Sequence, residues 1–195
     1  MRQSAHRHLN RRGSPDRLVT KSSMAVGRTL VVLSVCASLN LNGCSGEPPP
    51  IPDGATADRV LIEKAARRLT LYAGGAPLKS YEVALGRNPE GPKVQEGDNR
   101  TPEGTYSIDG RKAESAYHRA LHVSYPNARD RERAEQMSVA PGGDIMIHGI
   151  RNGIGWVGPL HRVLDWTRGC VAVTDAEIEE IWRVVPDGTS VEIRP

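Results

Sequence analysis

From residue 57 onward the chain alternates apolar and polar positions. Val60 and Ile62, then Leu69 and Leu71, recur two apart, and after Gly74-Gly75 the alternation resumes at Tyr81, Val83 and Leu85. A period of two puts alternate side chains on one face of a strand, and Gly-Gly between two such runs suits a tight hairpin. Residues 57–85 are therefore predicted as β-rich. Residues 86–99 are rich in Gly, Pro and charge and have no period, so they read as a loop. Thr101-Pro102-Glu103-Gly104 is a turn into a short strand over 105–108. Residues 129–136 are highly charged, which fits a solvated helix with no apolar face. After Gly142-Gly143, the run Asp144 to His148 (DIMIH) suits a buried strand that ends on a histidine. Thr174 and Glu177 form a capping box, and Ile178, Ile181, Trp182 and Val185 follow at helical spacing. Pro186-Asp187-Gly188 stops that helix, and Val191 and Ile193 alternate in a last strand. The pattern predicts a mostly-β domain with a few short helices and no internal repeat.

Charge changes the picture at the N-terminal end. The 195 residues carry 26 Lys/Arg and 23 Asp/Glu, a net of +3, which on its own would suggest a polyanionic partner. Seven of the basic residues (Arg2, Arg7, Arg11, Arg12, Arg17, Lys21, Arg28) lie within the first 43 positions against one acid, Asp16. What remains is 19 basic and 22 acidic side chains, a net of −3. A mildly acidic body is not a nucleic-acid binder, three cysteines do not make a disulfide scaffold, and nothing reads as a multi-pass membrane protein.

The basic stretch precedes Thr29 to Leu41 (TLVVLSVCASLNL), uncharged, largely apolar and only about 20 Å long as a helix, too short to span a bilayer of roughly 30 Å. Basic residues, a short apolar core and then small residues describe an export signal over residues 1–43. Leu41-Asn42-Gly43-Cys44-Ser45 resembles a bacterial lipobox, which implies lipidation of Cys44 and a membrane partner through that lipid anchor. Residues 44–56 contain four Pro within six positions and read as an extended linker. Residues 57–195 then form one domain, expected on the periplasmic side of a bacterial cell envelope.

With Cys36 in the signal and Cys44 lipidated, Cys170 is the single thiol of an exported domain and has no disulfide partner. It sits in Thr167-Arg168-Gly169-Cys170-Val171, four residues ahead of the capping box. A Gly-Cys turn near a helix start gathers N–H groups that stabilise a thiolate and could hold an oxyanion. A free thiol is only a few per cent ionised at neutral pH and needs a base, for which His148, followed by Gly149, is the candidate. The alternative for both residues is an inert buried Cys and a satisfied core His. His148, His161, Asp165 and Cys170 could also be drawn as a metal site, but one Cys with no tight His pair does not make a zinc centre, so neither metal nor cofactor is expected. His118 and His122 are four apart with Arg119 where a zinc protease needs Glu, and are expected at the surface or along a cleft. Arg151, Arg162 and Arg168 could grip carboxylates, Arg168 being the preferred contact. Trp156, Trp166 and Trp182 read as core or cleft wall, and Asp165 or Asp144 could orient His148, although a backbone carbonyl serves equally.

Four ordered segments carry a resemblance. Arg68 to Tyr72, Tyr81 to Gly86, Thr101-Pro102-Glu103-Gly104-Thr105-Tyr106, and the pair Gly143 to Gly149 with Thr167 to Val171 are similar to the L,D-transpeptidase catalytic (YkuD) family. Ser124-Tyr125-Pro126-Asn127 and Asp165 to Thr174 resemble its YafK-like branch. The likeness covers about residues 58–194. Arg168 stands where many members have His, and Ala172 where they have Arg near substrate. The resemblance implies a YkuD-like β-sandwich and a peptidoglycan stem peptide as substrate. It implies attack by Cys170, proton transfer by His148, and an oxyanion held by the N–H groups of Gly169 and Cys170, with Thr167, Arg168 and Gly149 beside the substrate. The thioacyl-enzyme would pass to an amine. The alternatives are hydrolysis by the same catalyst, as in release of a wall-bound lipoprotein, or a non-catalytic wall-binding lipoprotein. These motifs carry no information on oligomeric state.

Overall fold

The structure, a computed structural model, describes residues 50–195. The expected signal over 1–43, the lipidation site Cys44 and the first part of the linker lie outside the described residues. Eight strands form one sheet: β1 (Arg59–Glu63), β2 (Arg68–Ala73), β3 (Ala76–Glu82), β4 (Gly104–Ser115), β5 (His118–Val123), β6 (Met146–His148), β7 (Val171–Ala172) and β8 (Ser190–Arg194). Their order is β3-β2-β1-β8-β4-β5-β6-β7. β1 and β8 run parallel, as do β6 and β7, and the other neighbours are antiparallel.

The fold is mostly β, and the two layers are the two halves of one curled sheet. β4 is long enough to serve both, pairing with β8 over Gly104–Ser107 and with β5 from Ile108 to Ser115 through two register shifts. Such irregularities bend a strand and raise its twist, which turns the sheet's corner. The two edges then meet: just past β3, Ala84 N donates to Ala172 O at 2.9 Å and Ala172 N to Ala84 O at 2.8 Å, on β7. Between the halves lies one core, with Val60, Ile62, Leu69, Leu71, Leu121, Ile147 and Val191 fully buried. Each such side chain contributes roughly 1.5–3 kcal/mol by leaving water.

Helix α1 (Ala128–Gln136) occupies the charged stretch, but it is anchored. Asn127 and Asp130 form a capping box, and the buried Asp130 carboxylate accepts from the Tyr106 hydroxyl at 3.0 Å, so a face that looked wholly solvated rests on one buried acid and Ala134. Helix α2 (Asp175–Val184) starts at the predicted Thr174–Glu177 box and buries Ile178, Ile181 and Val184. Trp182 is half-buried, lying between the Arg111 and Arg119 guanidinium groups, 4.0 and 5.0 Å from its ring. Ile51 is buried against α2, its N–H donating to Glu180 Oε1 at 2.9 Å and its carbonyl accepting from Arg183 at 3.0 Å. The last residues of the Pro-rich stretch therefore belong to the packed body. Among the described residues, no helix is long and apolar enough to cross a membrane.

Candidate active site

The shortest strands build the site. Ile147 of β6 stands opposite Val171 of β7, and His148 opposite Ala172. Alternation carried back from Ala172 sets Cys170, just ahead of β7, on the same face as His148, one strand over and two residues along, a diagonal of roughly 7–8 Å between backbones. Both line a cavity of about 920 Å³, with Tyr117, Trp166, Lys112 and Arg168 among its walls.

The turn before Cys170 is held from two sides. The buried Thr167 hydroxyl donates to the Cys170 carbonyl at 2.7 Å and accepts the Gly169 N–H at 3.1 Å. Gly169 has φ +132°, and a Cβ there would lie 2.6 Å from the Arg100 carbonyl oxygen, so only glycine fits. Outside the turn, Thr167 N donates to Leu85 O and Arg87 N to Thr167 O, both at 3.1 Å. Asp165 braces the same joint, accepting Leu85 N at 2.8 Å and the Arg67 guanidinium at 2.9 and 3.0 Å. Its role is to position the loop, and it does not orient His148.

His148 is 4% exposed. Its Nδ1 lies 2.7 Å from the Gly149 carbonyl oxygen, which can only accept, so the neutral ring carries its proton on Nδ1 and presents a lone pair at Nε2. Gly149 is fixed in turn by its N–H donating to Tyr117 O at 3.1 Å. Tyr117 and Trp166 wall the imidazole at centroid distances of 4.6 and 5.8 Å. Burial lowers the His148 pKa, against the opposing effect of the Gly149 hydrogen bond.

Two expectations for the nucleophile's surroundings are corrected. Burial pushes the half-buried Cys170 thiol up and Asp144 adds to it, outweighing the Met146 N–H and the charges of Lys93 and Lys112. The resting group is thus a thiol rather than a thiolate stabilised by the turn. The thiol donates to the Asp144 carbonyl at 3.5 Å, and among the described residues no Cys170–His148 hydrogen bond is formed. Second, the Gly169 N–H is occupied by Thr167 and is not free for an oxyanion.

The remaining candidates divide. Arg168 and Arg151 are exposed on the cavity rim, whereas Arg162 pairs with Glu177 and, at 3.6 Å, with Glu82. Trp166 is a wall, Trp156 is 83% exposed and Trp182 is remote. His118 pairs with Glu179 at 2.7 Å, and His122 pairs with Asp109 at 2.5 Å and lies 4.0 Å from the rim residue Asp144; neither histidine lines the cavity itself. His161 accepts from the Trp166 indole at 3.4 Å, and burial followed by the Arg162 charge lowers its pKa to about 4. Among the described residues, no three His, Cys, Asp or Glu side chains are placed to hold a metal. Tyr117, Lys93 and Lys112 were not singled out from sequence; Lys93 is buried and paired with Asp98 at 2.8 Å.

The two lowered imidazoles bear on stability. The unfolded chain binds protons at His148 and His161 near pH 6.5, while the folded chain resists until lower pH, about 4 for His161. Their contribution is whole above about pH 6.5 and falls as pH drops toward 4. The melting temperature is expected to decline across that window, and His161→Gln should flatten part of the decline; a Tm series from pH 7.5 to 4 measures it.

Comparison with known proteins places the chain in a family. A model of the L,D-transpeptidase catalytic domain, YkuD, matches residues 57–193. YafK of Escherichia coli strain K12, assigned to the L,D-transpeptidases, is 32% identical over 132 residues, 65% of this chain and 46% of YafK. The chain thus spans about half the length of that relative. The helical cell shape determining protein Pgp2 from Campylobacter jejuni superposes with a TM-score of 0.55 at 26% identity, covering 72% of this chain and 48% of Pgp2. Bd1075 of Bdellovibrio bacteriovorus, at 24% identity, shares the fold with a TM-score of 0.51 over 73% of this chain and 49% of its own. On that match, across residues 57–193, the chain belongs to the YkuD family of L,D-transpeptidase catalytic domains, whose members act on peptidoglycan peptides.

Proposed function

We propose that this protein is a cysteine-dependent L,D-transpeptidase acting on peptidoglycan stem peptides, with Cys170 as nucleophile and His148 as base. The observation that carries the reading is that Cys170, immediately before β7, and His148, at the end of the adjacent β6, line one cavity, with the His148 Nδ1 proton held by the Gly149 carbonyl and its Nε2 left to accept a proton. In the reaction the thiol turns away from the Asp144 carbonyl and passes its proton to His148 Nε2. Sγ then attacks the carbonyl carbon of the residue at position three, and the Cys170 N–H supports the oxyanion in place of Gly169. On collapse the C–N bond breaks, His148 returns its proton to the departing D-Ala amine, and a thioester remains on Cys170. An acceptor amine, deprotonated by His148, attacks that thioester and frees the thiol. Water in place of the amine gives hydrolysis. Export by residues 1–43 and a lipid on Cys44 would hold the domain on the periplasmic side of the envelope, with peptidoglycan as its partner.

A purified tetrapeptide muropeptide supplied with and without an acceptor amine tests the outcome. Crosslinked product that appears only with acceptor is expected; tripeptide and D-Ala without any crosslink would make the protein a hydrolase, and no product at all would leave the wall-binding reading.

The lowered His148 and raised Cys170 also fix the shape of the pH profile. The competent form has a neutral imidazole and a protonated thiol, one proton shared between two groups whose titrations are pushed apart. The kcat/KM plateau is therefore expected to be wide, with its acid limb below the ordinary imidazole value and its alkaline limb above the ordinary thiol value. An acid limb at or above pH 7 would contradict this.

A further inference from the structure

The sheet places one more side chain in line with the reacting groups. Lys112 of β4 stands opposite Ala120 of β5, Ala120 opposite His148, and His148 opposite Ala172. Cross-strand partners share a face, so these four residues form one row across the sheet. Ala120, between Lys112 and His148, is small and buried, and those two both line the cavity together with Tyr117, whose ring lies 4.6 Å from the imidazole. Two strand spacings separate the Lys112 and His148 backbones by about 10 Å, most of which a four-carbon ammonium stem spans. Lys112 is exposed, lines the same cavity, and has no ion-pair partner among the described residues. The acids on the cavity wall, Glu96, Glu114 and Asp144, form no ion pair with it.

His148 is where the amine leaves in the first half of the reaction and enters in the second. In a stem peptide both amines belong to an amino-acid end, with the α-carboxylate one carbon away: D-Ala as the leaving group, and the far centre of the diamino acid as the acceptor. A cation on the His148 side of the cavity meets that carboxylate in both halves. We propose that Lys112 binds the α-carboxylate of the amine component, so that the site selects acyl donors ending in a free D-amino acid and acceptors that are α-amino acids. This rests on the transpeptidase reading above.

The test uses the full chain, Lys112→Ala and Lys112→Arg with two donors, the tetrapeptide with a free terminal carboxylate and the same peptide as its amide. Because the contact is made equally before and during reaction, its loss should appear in KM and leave kcat within about twofold. Lys112→Ala is expected to raise KM for the free acid roughly fivefold, leave the amide unchanged, and be reversed by Lys112→Arg. Equal weakening of both peptides would mean diffuse attraction and overturn the assignment, as would no change in either. If the unsubstituted chain turned over neither peptide, the function would fail separately. Calorimetric binding to Cys170→Ala with and without Lys112→Ala then decides the carboxylate contact: a preference for the acid that vanishes with Lys112 supports it, and equal binding of acid and amide overturns it.

Discussion

Cys170→Ala is expected to abolish peptide turnover, a fall on the order of 10⁴-fold or more, while the fold melts within a few degrees of the parent. The effect is large because the account routes every bond made or broken through Sγ, and no neighbouring group among the cavity walls described above replaces it. The structural cost is small because the thiol is half-buried and its contacts are weak, a hydrogen bond to the Asp144 carbonyl at 3.5 Å and another from the Met146 N–H. Circular dichroism and a thermal melt beside the muropeptide assay separate the two. A variant that melted normally and kept even one per cent of parental turnover would remove Cys170 from the chemistry.

His148→Asn is expected to cost between about 10² and 10⁴ in kcat, the range for a positioned general base. Asparagine can donate its amide N–H to the Gly149 carbonyl, as Nδ1 does now, so the strand end should keep its shape and KM should move little. What is lost is the lone pair at Nε2. Since burial holds the thiol protonated, the residual rate should rise with pH as the unassisted thiol ionises, in contrast to the flat plateau of the parent. A variant with the parental pH profile would show that His148 is a packed core residue with no part in proton transfer.

Sequence reading and structure part where long-range pairing decides. The strands Val60–Ile62, Leu69–Leu71 and Val191–Ile193 and the helix after Thr174 carry their period and their caps locally, so they were legible. The Thr101-Pro102-Glu103-Gly104 turn led into a strand predicted to end at Ile108, but β4 runs to Ser115 because β5 and β8 both pair with it. Its outer half, Asp109 to Ser115, is too polar to show a period. With that hairpin went Tyr117 and Lys112, which reach the cavity only through the register of β4 on β5 and β5 on β6. Cys170 and His148 were visible because each sits in a short motif with a glycine beside it. Their electrostatics were not: a turn near a helix start suggested a stabilised thiolate, and burial, which no local motif reports, reversed the sign. Likewise Thr167 was legible as a motif residue, but its hydroxyl's hold on the Gly169 N–H appears only once the turn is folded.

The most direct test of the central claim is the intact mass of the protein after brief incubation with a tetrapeptide muropeptide and no acceptor. The account predicts an adduct equal to the donor less its terminal D-Ala, mapped to Cys170 and labile to hydroxylamine as a thioester is, with free D-Ala released in equal amount. D-Ala release or crosslinked product with no adduct on Cys170, or the same adduct formed by Cys170→Ala, would contradict it.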